Sequence, residues 1–173
     1  IEGPTSAGTW YYPGGGVHLG VDRAVSVGTP IHAPADGLIV WAANPADTNG
    51  GYLGNWAGYP YGAGNNIAML ARVNDTTYFV SFSHMAQYGM TVSAGDSVSQ
   101  GDVIGLTGNS GNSSGAHCHI EIINLGSMSI SEAASQFAST ADFAWGCGWS
   151  SPSTGCDSKG STPCRERPET LIG

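Results

Sequence analysis

Ala116-His117-Cys118-His119-Ile120-Glu121 reads with a period of two, the signature of a β-strand with one face turned to a core. Histidines at 117 and 119 then share a face, roughly 6.6 Å apart along the backbone, which lets both imidazoles converge on one small object such as a metal ion or a reacting carbonyl. Cys118 points the other way and is expected to be buried as a small hydrophobe, or to pair with one of three cysteines in the tail. The chain has 5 histidines, at 18, 32, 84, 117 and 119, so two of them stand on one face of one strand.

The same short-strand rhythm extends on both sides. Strands are predicted at 31–33, 37–42, 66–72, 77–83, 103–106 and 117–123. Turn residues separate them: Gly28-Thr29-Pro30, Pro34-Ala35-Asp36-Gly37, Asn74-Asp75, Gly95-Asp96 and Gly101-Asp102. That spacing predicts an all-β fold, an antiparallel sheet with a barrel- or sandwich-like core. Residues 1–16 read as an opening loop. A long loop at 44–64 carries Tyr52, Trp56, Tyr59 and Tyr61, which wall a groove or pack the loop onto the sheet. One helix is predicted at 131–143, with Ser131 as N-cap and Ala134, Phe137, Ala138 and Ala141 as its apolar stripe. A turn-rich loop follows at 146–164, and 165–172 is expected to return to the sheet. The whole chain, 1–173, reads as a single domain.

Composition narrows the function. The chain has 27 glycines and only 10% charged residues, which suits a turn-rich globular protein rather than a disordered polyelectrolyte. Net charge is −8, with Lys159 as the single lysine, so no basic stripe exists to release counterions from a nucleic acid. No apolar run approaches the length of a membrane span. Cysteines stand at 118, 147, 156 and 164, the last three in a Gly/Ser/Pro-rich stretch, and predict at least one disulfide and an oxidising compartment. The chain opens at Ile1 with neither methionine nor a signal-peptide pattern, which fits a piece of a longer protein.

A second cluster, His18-Leu19-Gly20-Val21-Asp22, lies near the start. On a straight strand His18 and Asp22 would be roughly 13 Å apart, too far for one ion, so a bend at Gly20 is required. His18, Asp22 and one of His117 and His119 would then supply three protein ligands and leave one position open, the arrangement of a catalytic zinc. Glu121 shares a face with His119 and either orients a ligand histidine from behind or is a solvated charge. His32 fits no such pattern.

Taken in order, His18-Leu19-Gly20-Val21-Asp22, Gly28-Thr29-Pro30-Ile31, Ala35-Asp36-Gly37, Ser83-His84, Val92-Ser93-Ala94-Gly95-Asp96-Ser97-Val98 and Gly108-Asn109-Ser110-Gly111 leading to His117-Cys118-His119 resemble the lysostaphin-type zinc endopeptidases of peptidoglycan. The resemblance spans about 14–123, which implies a core at about 14–123 and a cysteine-rich extension at about 124–173. It implies one zinc ion held by His18, Asp22 and His119, with His84 and His117 as catalytic residues beside the attacking water. It also implies an antiparallel sheet with a groove walled by loops, and a substrate in peptidoglycan stem or cross-bridge peptides. The sequence departs from the family at Cys118, usually aliphatic, and at Phe82, often tyrosine. The expected setting is extracellular, at the bacterial cell wall, in a secreted lysin or phage particle whose other domains supply targeting. The alternative is a non-catalytic wall-binding or scaffold module of the same fold. A biotinyl or lipoyl carrier fails for want of a lysine at a hairpin tip, and a sugar-transport phosphocarrier leaves His-x-His unexplained.

Overall fold

The computed structural model describes residues 1–44, 51–58, 62–138 and 154–172. In chain order its elements are β1 (Thr5–Ala7), β2 (Trp10–Tyr11), β3 (Val17–His18), β4 (Val21–Ala24), β5 (Pro30–His32), β6 (Gly37–Ala43), β7 (Asn65–Val73), β8 (Thr76–Met85), β9 (Ser97–Val98), β10 (Val103–Leu106), β11 (His117–Asn124), α1 (Ile130–Ala138), α2 (Cys156–Lys159), β12 (Cys164–Glu166) and α3 (Pro168–Leu171). The main sheet is antiparallel in the order β1-β4-β11-β8-β7-β6-β9. Strand β12 shares an edge of β11 with β4, pairing at Ile122 to Asn124 while β4 pairs at His117 to Ile120. Two ribbons, β10–β5 and β2–β3, complete the strand set.

Strict alternation gives the sheet two different faces. Ile67, Met69 and Ala71 of β7, Val80 and Phe82 of β8, and Cys118, Ile120 and Ile122 of β11 form the larger core, closed by Ile31 of β5 and Ile104 of β10. Burying each large aliphatic side chain contributes about 1.5–3 kcal/mol. The opposite face carries Ala68, Leu70, Phe79 and Ile123, covered at one end by Ala133 of α1. His117, His119 and Glu121 continue that second face by parity, at the end away from the helix. One sheet face is therefore apolar where α1 covers it and polar where the site lies.

The Asn74-Asp75 turn joins β7 to β8 with φ of 49° and 63°, the left-handed pair that a tight hairpin needs and that Asn and Asp tolerate. Strands were expected near the observed β5, β6, β7, β8, β10 and β11, and they are antiparallel as read. Strands β3, β4 and β9 were not among those expected, and further details differ. The opening loop contains β1 and β2, short strands whose period-two pattern is too brief to read. Helix α1 starts at Ile130, because the Oγ of Ser129, not of Ser131, accepts the backbone N–H of Glu132 at 3.1 Å. Ala133 rather than Ala134 is its fully buried residue, while Phe137 and Ala138 side chains and Ala141 fall outside the described residues. The loop before Cys164 contains α2. The return of the tail to the sheet is β12, and one disulfide, Cys156–Cys164, joins α2 to it. Cys118 is free and fully buried, with burial pushing its thiol up to about 12, and Cys147 lies outside the described residues.

Candidate metal centre and active site

Register places the first two site residues. His119 of β11 lies directly opposite Asp22 of β4, and Ile120 opposite Val21. Between β3 and β4 the chain turns at Gly20, where a Cβ would sit 2.0 Å from the Ile120 carbonyl oxygen. The expected bend is there, but its cause is close approach: Gly20 does not adopt a left-handed φ. It brings His18 Nε2 to 3.1 Å from Asp22 Oδ1 and 2.9 Å from His119 Nδ1, with His119 Nδ1 at 2.8 Å from the same carboxylate oxygen.

The protonation of these groups follows from their outer partners. His18 Nδ1 stands 2.8 Å from the Gly8 carbonyl oxygen, which only accepts, so Nδ1 carries the proton and Nε2 presents a lone pair. His119 Nε2 likewise donates to Glu121 Oε1 at 2.9 Å, leaving Nδ1 facing inward. Glu121 stays ionised: burial raises it, but the Arg165 guanidinium, bonded to Oε2 at 2.7 Å, and His119 outweigh that and hold it at about 2. Two inward nitrogens and a carboxylate oxygen within about 3 Å need a cation between them. Absent a metal ion a proton takes that place. Burial pulls His119 down, yet its hydrogen bonds to Asp22 and Glu121 prevail and lift it to about 10. Burial likewise raises Asp22, but the same histidines hold it far below the carboxylate range. A tetrahedral ion with bonds of about 2.0–2.2 Å sets donors about 3.3 Å apart, so this donor set fits zinc with small adjustment. His18, Asp22 and His119 form such a group among the described residues.

His84 reaches this centre by breaking the alternation of β8. Asn65 pairs with Met85 but Ile67 with Phe82, so β8 carries one extra residue there, and His84 sits in that bulge with φ 60°. Phe82 and Met85 both face the larger core, and a regular strand would have sent His84 there with Phe82. Instead its ring lies 4.6 Å from that of His117. Its Nδ1 donates to the Ser110 carbonyl at 2.8 Å, and burial, followed by the charges of His117 and His119, lowers it to about 3, so it is a neutral imidazole at pH 7. His117 donates from Nδ1 to the Gly115 carbonyl at 2.8 Å and holds Nε2 3.7 Å from Asp22 Oδ1.

Asp22, His84, His117 and His119 line an open groove of about 610 Å³ together with Ala7, Tyr12, Pro13, Leu53 and Asn112 to Ala116, and His18 is buried behind Asp22 and His119. All five expected site residues meet here, and His32 stands apart, exposed, with Nδ1 on the Gly101 carbonyl. Of the long loop, Leu53 lines the groove, whereas Tyr52 and Trp56 are exposed beside it and Tyr59 and Tyr61 lie outside the described residues. Glu121 is a buried partner of His119 rather than a solvated charge. Sequence reading missed Gly8, whose contribution is a backbone carbonyl, and Arg165, which is 44 residues from Glu121.

Residues 16–130 match peptidase family M23. The chain belongs to that family. The M23 match is supported by lysostaphin of Staphylococcus staphylolyticus, 32% identical over 144 residues, which are 82% of this chain and 26% of that protein. Peptidoglycan DD-endopeptidase ShyA of Vibrio cholerae is 33% identical over 109 residues, 63% of this chain and 21% of its own length. The chain thus spans about a quarter of the length of these M23 relatives. The catalytic domain of lysostaphin from Staphylococcus simulans superposes with a TM-score of 0.55 at 31% identity, covering 75% of this chain and 85% of that domain. A zinc-containing peptidase from Vibrio cholerae superposes at 0.52 with 25% identity, covering 70% of this chain and 33% of that one. Strand β12 and helix α3 lie beyond the M23 match.

Proposed function

We propose that this chain is a zinc-dependent endopeptidase that hydrolyses peptide bonds in the stem or cross-bridge peptides of bacterial peptidoglycan. The observation that carries this reading is the convergence of His18 Nε2, Asp22 Oδ1 and His119 Nδ1 within about 3 Å of one another, with Asp22 and His119 lining an open groove. His18, Asp22 and His119 would hold one zinc ion, which when bound would supply Lewis-acid polarisation of a scissile carbonyl and a water made nucleophilic near pH 7. His84 and His117 are the catalytic residues. Each Nδ1–H is tied to a backbone carbonyl, which turns an Nε2 lone pair to accept a proton from the attacking water and return it to the leaving amine. The names of the relatives, a peptidoglycan DD-endopeptidase among them, support the substrate class.

An extracellular setting at the cell wall, in a secreted or phage-borne lysin, is supported by the Cys156–Cys164 disulfide. A net charge of −8 is repelled by wall polyanions, so other domains of a longer protein bring this one to its substrate. Digestion of purified peptidoglycans that differ in cross-bridge, with mass spectrometry of the new termini, tests the activity and names the bond. His119→Ala is expected to lose bound zinc and cleavage together. Wild-type protein that binds wall material without zinc and releases no new termini is instead a binding module.

A further inference from the structure

We infer that the C-terminal extension is a working part of the metal centre: Arg165, Arg167 and Glu169 hold in place the groups that orient both histidine ligands. The inference rests on the zinc reading above. A histidine ligand binds well only when its outward N–H is fixed, and here both outward contacts lead to the tail. His119 donates to Glu121, whose other oxygen receives Arg165 Nη1 at 2.7 Å. His18 donates to the Gly8 carbonyl, and the next residue, Thr9, gives Glu169 two hydrogen bonds, N to Oε1 at 2.7 Å and Oγ1 to Oε2 at 2.6 Å. Arg167 lies 5.9 Å from the ring centroid of Trp10, which pairs with His18 across the β2–β3 ribbon.

Arg165 carries the clearest sign of such a role. Its side chain is 0% exposed, yet Nε and Nη2 have no hydrogen-bond partner among the described residues. A buried cation with two idle donors is a costly way to fill a core, where an apolar side chain of that size would serve. What the guanidinium alone supplies is a fixed positive partner bonded to Glu121 Oε2, which holds the other carboxylate oxygen facing His119 Nε2. Pairing of β12 with Ile122 to Asn124 and the disulfide at Cys164 set the position of Arg165 along β11. Arg165 and Glu169 are thus positioning residues supplied from outside the segment that matches the family.

The test is zinc affinity of the whole chain, read by competition with a chromophoric chelator, together with the visible spectrum of the cobalt-substituted protein. Arg165→Met is expected to weaken zinc binding about 10- to 100-fold and to shift the cobalt bands, with Arg165→Lys recovering most of the affinity. Glu169→Gln, at a partly buried side chain that keeps its size and shape, is expected to fold and to weaken zinc binding about 2- to 5-fold, less than Arg165→Met because its contact to His18 is less direct. It keeps the test open if Arg165→Met does not fold. Wild-type affinity and an unchanged cobalt spectrum in the folded variants overturn the inference. Failure of the unmodified chain to bind zinc overturns the zinc reading itself.

Discussion

Ser83 lies directly opposite His119 in the β8–β11 ladder, but the following residue, His84, is the one whose ring enters the site. A bulged residue at φ 60° moves the His84 ring from the core face to the face that carries His117 and His119. For an imidazole without a metal to hold, such a conformation costs about 1–3 kcal/mol and persists because the surrounding ladder enforces it.

Replacing His84 by alanine therefore separates chemistry from metal binding. The variant is expected to keep zinc at wild-type stoichiometry and to lose turnover by about 10²- to 10⁴-fold, the range for a positioned acid or base. Metal analysis of the purified variant beside a peptidoglycan-release assay checks both halves. Loss of zinc in this variant would place His84 among the ligands instead.

The parts of this site that alternation governs were legible in the sequence. His117, His119 and Glu121 share a face because β11 is regular, and Cys118 is buried between them for the same reason. His84 was legible as a residue but not as a direction, because a bulge is set by the pairing strand and not by local composition. Ser129 and Ser131 both satisfy the local rule for a cap, and only helix geometry chooses Ser129. Arg165 had no local signal at all. Its partner is far along the chain, and nothing in Cys164-Arg165-Glu166 says that the arginine is buried.

Gly20 links the two halves of the proposed ligand set through sterics alone. Gly20→Ala puts a methyl group where the Ile120 carbonyl now lies 2.0 Å from an ideal Cβ, so β4 and β11 must separate. That movement opens the His119–Asp22 pair. The expected cost is about 1–3 kcal/mol in denaturant unfolding of the metal-free protein, accompanied by weaker zinc binding. Native stability with native zinc affinity would show that the ladder yields elsewhere.

Removing the metal should loosen the fold at this end of the sheet. A ligand that binds only the folded state stabilises it by about 4 kcal/mol when free ligand exceeds its Kd about a thousandfold. Dialysis against a chelator is expected to lower the Tm, and stoichiometric zinc to restore it. His18→Ala should show no such response, because one of three donors is gone. A chelator-insensitive Tm in the wild-type protein would mean that His119 and Asp22 are stabilised by a proton alone.

The docking of the tail should depend on pH through Glu169. Burial raises its carboxyl, but the hydroxyl and backbone N–H of Thr9 outweigh burial and hold it below the usual carboxylate range. A carboxylate whose folded-state pKa is depressed contributes stability above its unfolded value, near pH 4.5, and loses that contribution as pH falls through the folded-state pKa. Subtracting the Tm of Glu169→Gln from that of the wild type isolates this group from Asp22 and Glu121, which titrate in both proteins. The difference is expected to be positive and level at neutral pH and to close below pH 4.5. A difference independent of pH would mean that glutamine replaces the carboxylate at Thr9 without loss, and that the tail is held at Arg165 and β12 instead.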